Sequence, residues 1–347
     1  FYFSKVNLYF SFFLHILFPK CYFKVYLFLP RTKLFIIFKS TMFKLILLCI
    51  FVFFLLFLVF PKKEGYTLSG NSNGLSNYNG SELSWTPLKE KCLTNTYITL
   101  PIYNFNLPIK KFEFNLAQYL LALSFNVEIS NCTNLGALPP PTPFDVQIKL
   151  TGTSFLGIQR MFGYFFYATA LNVALLIFSG TFFDDEWAKD LEMKQITANK
   201  LNGYKPGVLI HEGFYTIYTT LQDQILNATN KYMNKDTKLF ISGHSLGAAL
   251  ATIAAFDLHL KKPLIYSFAS PRVFNINGVQ IFNQNVLQSK RIYNTEDIFT
   301  TIPIPVNSSI DYDHVNSGVG FTRNLKVVAY NHTDAYLETF KLPQRTS

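Results

Sequence analysis

The chain has 347 residues, 49% hydrophobic and only 15% charged, with 31 Lys and Arg against 21 Asp and Glu. That length and apolar content exclude intrinsic disorder and a disulfide-stapled miniature fold, and leave ample chain for one large domain or two modest ones. Residues 1–63 hold nine Lys/Arg and no Asp or Glu, so the +10 net charge is a property of the N-terminus. A body of nearly balanced charge has no basic face to track a phosphate backbone, which removes nucleic acid as an expected partner.

The N-terminal stretch opens on Phe1 and carries 16 of the 37 Phe within its first 60 residues, without helical or alternating periodicity. The first Met is Met42, and Lys44 precedes an unbroken apolar run from Leu45 to Phe60. Residues 1–41 therefore read as an upstream or non-structural hydrophobic segment. A polytopic membrane segment with a partial span over Cys21–Phe38 competes, but Lys24, Pro30, Arg31 and Lys33 interrupt it. Residues 42–63 read as a signal peptide or signal anchor, since a 16-residue run lies between a signal core and a full span. Pro61, Lys62 and Lys63 follow with no small-x-small cleavage site, which tips the reading toward an anchor.

The body is then expected outside the cytosol, secreted or in an endomembrane lumen, with membrane anchoring through Leu45–Phe60. Asn79, Asn131, Asn227, Asn307 and Asn331 each begin a glycosylation sequon. Cys92 and Cys132 are the two cysteines of the body, a pair that an oxidising compartment could bridge. Spacing alone fits two unrelated thiols equally well.

Residues 64–111 read as a Gly/Ser/Asn-rich spacer and an N-terminal extension with prolines at 87, 101 and 108. From residue 112 to 342 the pattern is that of one α/β domain. Ala117, Tyr119–Leu123 and Phe125 predict a short buried helix. Gly163–Thr169 and Leu171–Phe178 predict paired strands, and residues 213–232 an amphipathic helix carrying Phe214, Ile217, Tyr218, Leu221 and Ile225. Strand Leu239–Ser242, helix Leu246–Leu260 and strands Leu264–Phe268, Arg291–Tyr293 and Leu325–Tyr330 complete the series. Strands alternating with helices imply a central, mostly parallel sheet flanked by helices.

The predicted strand Leu239–Ser242 runs into Gly243-His244-Ser245-Leu246-Gly247 and straight into a helix. G-x-S-x-G acquires meaning in that strand–turn–helix context. A turn this sharp holds the serine in a strained conformation with its hydroxyl exposed, and the positions two before and two after must lack bulk. The Leu246 amide, at the helix N-terminus, then points where an oxyanion would form.

A nucleophilic serine needs a general base and an acid to orient it. Of six histidines, His15 lies in the leader, and His211, His244 and His259 precede any acid after the serine, leaving His314 and His332. Asp297, Glu296, Asp311 and Asp313 stand open as the acid. No His/Cys ligand cluster and no phosphate loop is present, so neither metal nor cofactor is expected.

These segments resemble the class 3, fungal-type lipases of the α/β-hydrolase superfamily over about residues 112–340. The resemblance rests on LLIFSGT (175–181), EWAKDL (186–191), HEGF (211–214), FISGHSLGAALA (240–251), ASPRV (269–273), YNTEDIFTTIP (293–303) and NHTDAYL (331–337). One departure is plain: Ser179 stands where the family usually has Arg before Gly-Thr. The resemblance implies an α/β-hydrolase fold and a triad of Ser245, Asp297 and His332. It also implies oxyanion donors at Thr181 and Leu246, and a lid in the stretch that includes Phe182, Phe183 and Trp187.

Ester hydrolysis through an acyl-enzyme is the activity implied, on a lipid ester at a membrane or droplet interface. Triacylglycerol, phospholipid A1 and short-chain esters are not separated by the residues. A catalytically silent, membrane-tethered binding protein is the rival from another class.

Overall fold

The computed structural model describes residues 24–29, 32–37, 96–108, 112–132, 135, 137–154, 157–180, 194–303, 311–316 and 318–343. The apolar run 45–60, most of the 64–111 spacer, Cys92, Thr181, and the lid residues Phe182, Phe183 and Trp187 lie outside them. The chain divides into two units, Phe1–Tyr78 and Asn79–Ser347.

In the first unit, strands β1 (Lys24–Leu29) and β2 (Thr32–Ile37) pair antiparallel, Leu29 opposite Thr32 and Lys24 opposite Ile37. No element was expected within residues 1–41. The pairing has a local reason: both segments are rich in residues that favour strands, and Pro30-Arg31 separates them.

The second unit is built on a seven-stranded sheet in the order β11-β10-β9-β8-β5-β4-β3. Its strands are β3 (Val146–Thr153), β4 (Gln159–Ala168), β5 (Val173–Phe178), β8 (Lys238–His244), β9 (Leu264–Phe268), β10 (Gln288–Asn294) and β11 (Gly318–Phe321). From β5 to β11 the pairings are parallel; β5-β4 and β4-β3 are antiparallel. A small antiparallel pair, β6 (Gln195–Thr197) and β7 (Leu209–His211), lies apart.

The central strands read as continuous apolar runs because both of their faces are covered. Along β5, Ala174, Leu176 and Phe178 enter one core, and Val173, Leu175 and Ile177 enter the other. The first core holds α2 (Glu212–Tyr232) and α3 (Leu246–Asp257); the second holds α1 (Phe114–Ile129). Every residue of α3 is buried, which is why its Ala-rich sequence carries no amphipathic stripe. Phe105 is only 2% exposed within the α1 core, so the body gathers residues upstream of 112.

The expected elements stand with small shifts of boundary. Helix α4 (Ile276–Asn285) and strands β3, β6, β7 and β11 were not anticipated. The expected strand Leu325–Tyr330 is a correction: Val328–His332 forms the short helix α5, followed by α6 (Asp334–Thr339). Its apolar residues suit a strand, but Lys326 adopts a left-handed φ of 64° and the Asn331 side chain binds the Leu325 amide. Those two features turn the chain before it can pair, and β11 already lies beside β10.

Parallel strands bring their C-terminal ends to one edge. Phe178, His244, Phe268 and Asn294 end there, and each is followed by a loop. In open α/β sheets that edge is where ligands bind.

Candidate active site

Ser245 sits between β8 and α3 with φ 58° and ψ −125°, outside the conformations that a serine ordinarily adopts. The strain is imposed by close packing. A Cβ on Gly243 would stand 2.2 Å from the Gly247 carbonyl oxygen, and one on Gly247 would stand 2.5 Å from that of Phe178. Neither neighbour is a movable side chain, so both positions require glycine. The Ser245 amide donates to the Phe268 carbonyl (3.0 Å) and the Ser245 carbonyl accepts from Ala248 and Ala249. The residue is thus clamped between β9 and the first turn of α3. Leu246 opens α3, where the first amides have no partner within the helix.

His332, the last residue of α5, places Nε2 2.7 Å from the Ser245 hydroxyl. Its Nδ1 lies 2.9 Å from both oxygens of Asp297. Asp297 follows β10 and is 1% exposed. Its Oδ1 also accepts from the Phe299 amide (3.0 Å) and its Oδ2 from the Tyr336 hydroxyl (2.8 Å). Burial, reinforced by the Asp297 charge, pushes the Tyr336 hydroxyl well above the usual phenol range, so it remains a donor. The Phe299 ring covers the imidazole at 4.3 Å between centroids.

A carboxylate on Nδ1 keeps the proton on that nitrogen and leaves the Nε2 lone pair toward the serine hydroxyl. The arrangement can therefore deprotonate Ser245 and hold the resulting imidazolium.

The structure thus brings Ser245, His332 and Asp297 together and leaves their rivals elsewhere. His314 Nε2 donates to the Thr300 carbonyl at 2.6 Å. Burial pushes its pKa well below the usual histidine value, and Arg291 and Arg272 add to the shift. Glu296 accepts from Asn324, and the Asp313 side chain from the His314 amide. Asp311 contributes its backbone carbonyl to Gln195. His211, which opens the HEGF segment, is the N-cap of α2: its Nδ1 accepts from the Gly213 and Phe214 amides.

Several residues of the site were not anticipated. Tyr336 is one. Asn294, fully buried at the end of β10, is another: its Nδ2 donates to the Arg323 and Asn331 carbonyls and its Oδ1 accepts from the Arg323 amide. Asn331, noted only as a sequon, is 4% exposed and donates to the Glu296 carbonyl while accepting from Leu325. These two amides tie the segment carrying the acid to the segment carrying the base. The available signal was an Asn three residues before the acid and another directly before the base.

Ser179, where the family usually carries Arg, is buried, donates to the Gly180 carbonyl (3.0 Å) and accepts from Asn131 (3.4 Å). Cys132, beside Asn131, is buried and disulfide-bonded. Among the described residues no group of three or more His, Cys, Asp or Glu side chains is placed to hold a metal ion.

Residues 175–307, from β5 through the elbow to the loop after Asp297, match the model of the lipase (class 3) family. The chain is similar to that family over this segment, about two fifths of its length. It is similar to the chloroplastic phospholipase A(1) DAD1 of Arabidopsis thaliana, 29% identical over 160 residues, covering 41% of this chain and 36% of that protein. Phospholipase A1-IIgamma of the same plant is 32% identical over 148 residues, covering 34% and 35%. Against these two curated relatives the chain spans about a third of their length. Among solved structures, Rhizomucor miehei triacylglyceride lipase superposes with a TM-score of 0.48 at 19% identity, covering 60% of this chain and 80% of that one. The matched segment has a mostly parallel sheet, helices on both faces and the serine at the strand-to-helix elbow.

Proposed function

We propose that this chain is a serine ester hydrolase acting on lipid esters through an acyl-enzyme. The observation that carries the reading is the unbroken hydrogen-bonded series from Ser245 through His332 to Asp297, with the serine held in a left-handed elbow. Ser245 Oγ attacks the ester carbonyl carbon while His332 Nε2 takes its proton. The tetrahedral oxyanion collapses, and the alcohol leaves with the proton returned by His332. Water, activated by the same nitrogen, then releases the acid and restores the serine. The Leu246 amide serves as one oxyanion donor and Thr181 as the other, each such donor contributing about 3–4 kcal/mol in related chemistry.

The disulfide at Cys132 supports an oxidising compartment, and Cys92 is its proposed partner. With Leu45–Phe60 as signal or anchor, the enzyme is exported and works at a membrane or droplet surface. Among the described residues no helix is long and apolar enough to cross a membrane. Of the sequons, Asn227 is exposed on α2 and suits a glycan, whereas Asn331 is buried in the site.

Two curated relatives named phospholipase A1 favour a phospholipid ester as the second reading beside triacylglycerol. The test is hydrolysis of p-nitrophenyl esters of graded chain length by the full chain beside Ser245→Ala, followed by triolein droplets against phosphatidylcholine vesicles. Turnover that the substitution abolishes supports the hydrolase, and the better lipid names the substrate. Equal background rates in both proteins return the chain to a silent binding protein.

A further inference from the structure

His244 ends β8, and the mechanism above gives its ring no task. The ring is buried among Phe125, Tyr336 and His332, with centroid separations of 4.7, 5.6 and 4.8 Å. Its Nε2 lies 2.6 Å from the backbone carbonyl of His332. A carbonyl only accepts, so Nε2 carries the proton. Nδ1 faces the Glu128 carboxylate, with Oε2 at 3.8 Å. Burial pushes the His244 pKa down, so the ring remains neutral beside a base that must itself become charged.

Part of this arrangement sets register. Glu128 and Ser124 lie one turn apart on α1, and His244 and Ser242 lie two residues apart on β8. The Ser124 and Ser242 hydroxyls meet at 3.3 Å. Four helical residues rise about 6 Å and two strand residues about 6.7 Å, so the two polar pairs match along the helix–strand contact.

The contact to the His332 carbonyl goes further than register. His332 closes a five-residue helix, and the last carbonyls of a helix have no acceptor role within it. So short a helix has little stability of its own. The position of the base therefore depends on what holds its backbone from outside. On the α1 side that support is the His244 N–H. Glu128 reaches the same region from below: its Oε2 would stand 2.4 Å from a Cβ built on Gly180, next to the proposed oxyanion residue Thr181.

We infer that His244 is a positioning residue for the hydrolysis proposed above, acting through the backbone of His332. The inference rests on that functional reading for its kinetic consequence, and on geometry alone for its structural one.

The test uses His244→Leu, which fills the space without a donor, and His244→Gln, whose amide N–H can reach the same carbonyl. With an activated ester, the Leu variant should lose about 10²-fold in kcat with KM changed by no more than about twofold. The Gln variant should recover most of the loss. In a His332→Ala background the Leu substitution should have no further effect, because the ring it positions is gone. An equal loss in that background, or a Gln variant as impaired as Leu, overturns the inference.

A readout independent of turnover is the downfield proton resonance of His332 Nδ1–H in its bond to Asp297. It should broaden or vanish in the Leu variant and persist in the Gln variant. Its persistence in a folded Leu variant also overturns the inference. If the native chain hydrolyses no ester but the resonance follows His244, the positioning stands and the hydrolase reading falls. Should the Leu variant fail to fold, His244→Asn, one methylene short of the carbonyl, takes its place against Gln.

Discussion

The two halves of the site are assembled by different physics. The elbow, Gly243–Gly247, is a local object: five consecutive residues, two of them forced to be glycine by backbone atoms 2.2–2.5 Å from where a Cβ would stand. The acid–base half is non-local. Asp297 and His332 are 35 residues apart, and Asn294, Asn331 and Tyr336 tie the segments that carry them together. A nucleophile made by steric exclusion is legible in a short motif. A base and acid held by a network of buried amides are not.

The sharpest way to break this contrast is to remove the reacting atoms. Ser245→Ala should abolish esterase turnover, by about 10⁶-fold in kcat if it follows other serine hydrolases, and Ser245→Ala with His332→Ala should lose little more than either alone. Additive losses would mean that the two residues do not act as one unit. Substitution of Asp297 by Asn keeps the shape but permits the wrong imidazole tautomer, and about 10⁴-fold should be lost in kcat. A milder loss would show that Glu296 or Asp313 can take over, and would make the acid half far more tolerant than the elbow.

The same contrast explains what could be read in advance. Central strands buried on both faces announce themselves as apolar runs, so β5, β8 and β9 were legible, as was α2 with its apolar stripe. Edge elements carry no such signature. Strand β11 is four residues, Gly-Val-Gly-Phe, with only partial burial, and the Leu325–Tyr330 segment has strand-like composition but turns at Lys326. Ser245 followed from its motif. His332 and Asp297 were chosen over His314 and three carboxylates by resemblance. Composition could not reveal that His314 spends its Nε2 on the Thr300 carbonyl.

Tyr336 measures how much the network contributes beyond the triad. Its hydroxyl is one of the donors to Asp297, and it accepts from the Asn294 amide at 3.0 Å. Tyr336→Phe removes a hydrogen bond to a charged acceptor, a change of about 1.5–3 kcal/mol, and should lower kcat about tenfold or somewhat more while KM holds. The thermal midpoint should fall as well, because the buried Asn294 amide loses its acceptor. A variant with unchanged kcat would reduce Tyr336 to packing.

The smallest expected effect concerns pH, and it separates His314 from the base that it resembled. His314 and His244 both have folded pKa values below the ordinary histidine value, chiefly because burial disfavours the charged ring. Between the folded value and about 6.5 the unfolded chain binds a proton that the folded chain does not, so stability rises with pH across that window. The contribution is fully present above the ordinary value and is lost on acidification, at a rate of at most about 1.4 kcal/mol per pH unit for each histidine. Urea midpoints measured from pH 7 to pH 5 should therefore fall. His314→Gln, which keeps a donor for the Thr300 carbonyl and cannot titrate, should flatten the slope and leave esterase turnover near the native rate. An unchanged slope would place the acid sensitivity in His244 or the carboxylates instead, and a variant without turnover would return His314 to contention as the base. A flattened slope with full activity would establish that the buried histidine beside the acid-bearing loop contributes to the fold alone, while catalysis passes through His332.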